Sequence, residues 1–191
     1  MNDTNYELAH KIATINQHKV AELIPKKIIQ KEEKLLQKFT NSTGSASNKL
    51  KSLYRFMDEL YSHVHKITPC HKGCSNCCHF NVSISQFEAD FIAKETNTTK
   101  ITQPQNHQKD FHGVPCPFLK QDVCSIYLSR PFVCRRHIFL GDTEKWCSPN
   151  IANDYEFPQL GFSEIKATYD FILQESKLTR RKDIREFFAS I

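Results

Sequence analysis

Four cysteines crowded into nine residues constrain this chain more than any other feature. Cys70 to Cys78 reads C-H-K-G-C-S-N-C-C, with three, two and no residues between successive thiols. The other four cysteines, Cys116, Cys124, Cys134 and Cys147, lie downstream, and none precedes Cys70. Soft thiols gathered this way are explained best as metal ligands. Cys74-x2-Cys77 suits a tight turn whose two sulfurs converge on one ion, because tetrahedral zinc and iron–sulfur clusters are both held by thiolates. Cys77 and Cys78 are adjacent, and neighbouring side chains point in different directions. Either the two thiols serve different metals, or one ligates while the other packs. The eight thiols allow one or two sites, and the pairing stays open.

Compartment decides between metal and disulfide. The N-terminal stretch, Met1 to Glu7, is polar and leads into no apolar run, and no segment approaches the roughly 18 apolar residues of a membrane span. A cytoplasmic location is therefore expected, where thiols stay reduced and clustered cysteines read as metal or redox groups. Nor does small size call for disulfide staples, since 191 residues suffice to bury a core as one domain with an extension, or one large domain. The formal charge of +5 counts cysteine as neutral. Four thiolates on one zinc or one cubane cluster would lower it to about +3, and a second site to about +1. Such weak basicity argues against a nucleic-acid partner.

The fold class expected is mainly α, with helices around an irregular, cysteine-rich metal-binding centre. Residues 7 to 39 carry Leu8, Ile12, Ile15, Leu23, Ile28, Leu35, Leu36 and Phe39 in a helical pattern that Pro25 should kink or split. The breaker-rich residues 41–48 read as a linker. The expected division is thus a helical extension over 1–40, that linker, and a cysteine-cluster domain over 49–191. Lys49 to Lys66 is an amphipathic helix with a core-facing stripe, closed by Thr68-Pro69. Residues 81–84 suit a short extended piece. Ser85-Gln86-Phe87-Glu88 is a capping box that should open a helix ending near Thr96. Residues 97–113 read as a surface loop, and residues 113–117 as rigid backbone suited to holding a ligand. A short helix or turn is expected around Ser125 to Leu128, a helix from Ser163, and a last helix over Leu178 to Ile191.

In the downstream half, Cys116-Pro117-Phe118-Leu119, Cys124-Ser125-Ile126-Tyr127 and Arg130-Pro131-Phe132-Val133-Cys134-Arg135 follow the first cluster in order. Together they resemble the bacterial YkgJ-like CxxCxxCC cysteine-cluster family, described as zinc- or iron-chelating proteins, over about residues 68 to 147. The resemblance implies metal chelation through Cys70, Cys74, Cys77, Cys78, Cys116, Cys124 and Cys134, with Cys147 matching a less fixed later cysteine. It leaves iron–sulfur cluster and zinc both in play. Related segments occur in flagellin lysine methylases, which implies protein modification as an alternative role. Cys70-x3-Cys74-x2-Cys77 also resembles the cluster loop of radical S-adenosylmethionine enzymes. The remainder of the chain is too short for their barrel, and five glycines leave no glycine-rich nucleotide loop.

His71, His79 and His137 flank cysteines and read as supporting donors or surface side chains before ligands. Arg130, Arg135 and Arg136 could donate to anionic sulfurs, but helix-end or carboxylate contacts are the plainer expectation. Tyr127 reads as a packed aromatic, and the Lys26-Lys27 and Arg180-Arg181-Lys182 runs as solvated faces. Three functional classes follow. One is a metal-held module whose helical surfaces meet another protein. The second is a metalloenzyme with an open coordination position, and the third an iron or redox sensor.

Overall fold

The computed structural model describes residues 3–101 and 110–189. Most of the expected 97–113 loop, residues 102–109, lies outside them. The fold is mainly α, as the periodicity predicts. The first helical run breaks into α1 (Asp3–Leu23), α2 (Lys26–Glu33) and α3 (Leu35–Thr40). Pro25 stands at the N-cap of α2, where its missing N–H and fixed φ end one helix and begin the next.

On α1, Ala9, Ala13 and Val20 are buried, while Leu8 is 60% and Ile15 42% exposed; Ile24, in the break after it, is buried too. Small residues let α1 approach the body closely, and proximity outweighs side-chain hydrophobicity there. The next helix, α4 (Ala46–Val64), starts three residues before Lys49 because the Ser45 hydroxyl accepts from the Asn48 N–H. Its residues Leu50, Leu53, Met57, Leu60 and Val64 are wholly buried, each such side chain contributing about 1.5–3 kcal/mol.

Strand β1 (Ser83–Ser85) runs into α5 (Gln86–Thr96), opened by the Ser85–Glu88 capping box and closed by left-handed Asn97. Strands β2 (Leu119–Lys120) and β3 (Val123–Cys124) form a hairpin in the register Leu119↔Cys124. Gln121 and Asp122 both have positive φ at its turn, matching strand twist. Helices α6 (Phe132–Arg136) and α7 (Ser163–Ser176) follow, with Ile165, Tyr169, Ile172 and Leu173 of α7 buried.

The expected last helix is not formed. Residues 181–183 are instead strand β4 (Arg181–Asp183), antiparallel to β1 in the register Ser83↔Asp183, followed by a single 3₁₀ turn, Ile184–Glu186. Lys177 turns left-handed and ends α7, and Asp183–Glu186 is a second capping box. A distant strand partner thus overrides local helical pattern.

Three apolar clusters make the core. The largest joins all seven helices of the described residues, α1–α7. A second gathers Val82, Ile84, Ile92, Phe118, Ile126, Ile184 and Phe188. A third holds Ala9, Phe139, Trp146 and Cys147. The cysteines border all three. No helix among the described residues is long and apolar enough to cross a membrane.

Candidate metal centre

Five segments bring the thiols together. Cys70 enters after the short turn His65–Ile67, and its sulfur accepts from the Phe139 N–H at 3.3 Å. The chain then folds tightly, Cys74 N–H to His71 C=O at 3.1 Å, through Gly73 at φ 104, a conformation that side chains resist. A 3₁₀ turn, Asn76–His79, presents Cys77 and Cys78. Backbone bonds from Gly113 N–H to His79 C=O and from Cys116 N–H to Cys78 C=O, both 2.8 Å, stitch the Cys116 loop alongside. Cys124 ends the β2–β3 hairpin, whose base is closed by Ser125 N–H and hydroxyl donating to Phe118 C=O. Cys134 rides on α6. Cys147 ends the turn Glu144–Cys147, drawn in by the Asn76 amide donating to Glu144 C=O at 3.1 Å.

All eight cysteines line one cavity of about 90 Å³. A water needs roughly 10–15 Å³ of such space, so the cavity has room for a few ions or a small cluster. Every cysteine is a free thiol, Cys147 buried and the other seven half-buried. Burial pushes the Cys116 and Cys147 thiols up to about 12 and raises those of Cys70, Cys124 and Cys134, with neighbouring thiols adding to the effect. Cys78 is raised first by its hydrogen bond to Cys77 and then by burial. Such crowded thiols stay protonated unless a cation compensates them, which a coordinated metal ion does.

The donor set fits zinc or iron–sulfur, which take thiolate sulfur, and not the oxygen-seeking calcium or magnesium. Among the described residues no three His, Cys, Asp or Glu side chains stand around a common point at ligand distance. The thiols surround a space, and rotation about χ1 is the motion that would close them on an ion.

The flanking residues divide clearly. His71 is exposed and pairs with Pro69 C=O at 2.7 Å. His79 does not line the cavity, whereas His71 and His137 do. Arg135 is 2% exposed and bonds Asp58 at 2.5 Å and Arg130 C=O at 2.9 Å. Arg130 donates to Tyr127 C=O and lies 3.9 Å above the Tyr127 ring. Arg136 sits over the Phe132 ring. Carboxylate, carbonyl and ring contacts therefore account for these arginines.

Two supporting residues, His65 and Arg185, escape the sequence pattern, and a third, Glu88, is marked there only as a helix cap. His65 lines the cavity, and its buried Nδ1 has no partner among the described residues. Arg185 donates to the carbonyls of Cys78 (3.1 Å), Phe80 (3.2 Å), Pro115 (3.2 Å) and Val114, clamping two cysteine loops together. Glu88, 1% exposed, accepts from Tyr54 and Tyr169 hydroxyls at 2.9 and 2.6 Å and from Phe132 N–H at 2.9 Å. It thereby fixes the start of the helix carrying Cys134. Asp183-x-x-Glu186, a capping-box pattern, is the one sequence signal that marks a chain reversal beside Arg185.

Residues 69–152 match the family model described as "CxxCxxCC: Putative zinc- or iron-chelating domain". No curated protein and no solved structure matches the chain.

Proposed function

Because residues 69–152 match the family model of a zinc- or iron-chelating CxxCxxCC domain, we propose that this chain is a metal-held protein module, its eight cysteines retaining zinc or an iron–sulfur cluster. One observation carries this: thiols from five separate segments line a single cavity. A soft cation would let such a gathering ionise and hold together, because burying that many uncompensated thiolates is costly. Eight sulfurs suffice for two closed tetrahedral sets, which favours a structural role over a metalloenzyme or sensor needing an open position. Retention of free thiols suits a reducing compartment such as the cytoplasm. For a protein partner, the broad groove between α2–α3 and α4, lined by Lys27, Lys34, Lys38 and Arg55, offers an acidic surface its complement.

The deciding experiment is metal analysis of protein isolated under nitrogen. Stoichiometric zinc without colour identifies the zinc form; iron and sulfide with broad visible absorption identify the cluster form. Protein that holds neither, while folded and fully reduced, overturns chelation.

A further inference from the structure

We infer that the cysteines form two separate four-sulfur sets, Cys78 with Cys116, Cys124 and Cys134, and Cys74 with Cys70, Cys77 and Cys147, so that the neighbours Cys77 and Cys78 serve different ions. The inference rests on the chelation proposed above and goes on to assign its ligands.

Packing carries the division. Cys116, Cys124 and Cys134 all lie against the second apolar cluster, around Phe118, Ile126 and Val133. Cys70 lies instead against the third, of which Cys147 is itself a buried member. The backbone agrees: Cys116 N–H is bonded directly to Cys78 C=O at 2.8 Å, joining Cys78 to the downstream thiols. On the other side Asn76 ties the Cys77 turn to the turn ending in Cys147. Cys77 joins the second set through its C-x2-C spacing with Cys74, which places both sulfurs of one turn on one ion. Adjacent residues cannot readily turn both sulfurs to a single tetrahedral centre, and the division removes that difficulty.

Cadmium-113 is the probe, since it binds thiolates as zinc does and reports its own ligands by NMR. The full chain, reduced and loaded with the isotope, should show two cadmium signals. One should couple to the β-protons of Cys78, Cys116, Cys124 and Cys134, the other to those of Cys70, Cys74, Cys77 and Cys147. A single cadmium signal, a bridging cysteine coupled to both, or Cys77 and Cys78 coupled to the same ion overturns the division while leaving chelation standing. Cadmium that couples to no cysteine overturns chelation, and the division with it.

Metal content of paired variants gives an independent check. Cys124→Ser with Cys134→Ser should retain about half the native metal. Cys74→Ser with Cys134→Ser, which strikes both sets, should retain close to none. Equal losses from the two pairs overturn the division.

Discussion

Arg185 shows how much one side chain does when its geometry is a fork. Its side chain is 6% exposed, held by Asp183 at 2.9 Å, and it spreads its donors over carbonyls of two loops that hold Cys78 and Cys116. Replacing it with Met should lower stability by roughly 3 kcal/mol, because hydrogen bonds to a charged group are each worth about 1.5–3 kcal/mol and overlap when shared. Lys should rescue little of this, since one ammonium cannot span four carbonyls. Thermal melting together with metal content checks both variants; a native melting temperature in Arg185→Met would remove the clamp from the account. Gly141 matters for a different reason. A Cβ there would come within 2.4 Å of the Phe139 ring, whose backbone N–H holds the Cys70 sulfur. Gly141→Ala should cost about 1–3 kcal/mol through overpacking and loosen metal held at Cys70, as read by urea melts and competition with a chelator. The first cysteine cluster was plain in the sequence because Cys70 to Cys78 are closely spaced. Arg185 and His65 were not, because their importance comes from partners about a hundred residues away or from the far wall of a cavity.

At the level of elements, α2 and α7 meet through Glu32. Its carboxylate accepts from Glu164 and Ile165 N–H groups at 3.0 and 3.3 Å, satisfying free donors at the start of α7. Burial nevertheless raises its pKa above the ordinary carboxylate value, outweighing those bonds. The sign follows: between the unfolded and the higher folded pKa, the folded state binds the extra proton. This group therefore adds stability as pH falls through that window and withdraws it as pH rises. Glu32→Gln keeps an acceptor for α7 and should be no less stable than the native chain at neutral pH, while losing this part of the acid-side gain. Parallel melts at neutral and mildly acidic pH make the comparison, and a large loss at neutral pH would contradict it. Elements with complete local signals were legible: Pro25 divided the first helix, and Ser85-x-x-Glu88 opened α5 where the pattern placed it. The segment after Leu178 was misjudged because its partner, β1, lies a hundred residues upstream, and local periodicity carries no record of that pairing.

For the molecule as a whole, the first forty residues take part in the site's surroundings. Asn16 of α1 donates to Ile67 C=O at 3.2 Å and to Leu140 C=O at 2.8 Å, bridging the strands of chain on either side of the Cys70–Phe139 contact. Tyr6 and Ala9 pack with Trp146 and Cys147. The sequence pattern suggests that removing residues 1–40 leaves metal binding intact; this packing leads to the opposite expectation, a loss of metal at the Cys70–Cys147 side with the other side retained. Metal content of the truncated chain distinguishes the two, and full retention would restore the extension to an independent unit. A last consequence concerns synthesis. Arg185 reaches back 107 residues to Cys78. At about 5–20 residues per second, the ribosome delivers the first four cysteines on the order of ten seconds before the guanidinium that locks their loop arrives. During that interval the nascent thiols are open to oxidants and to any thiophilic ion within reach, before the loop that gathers them is locked.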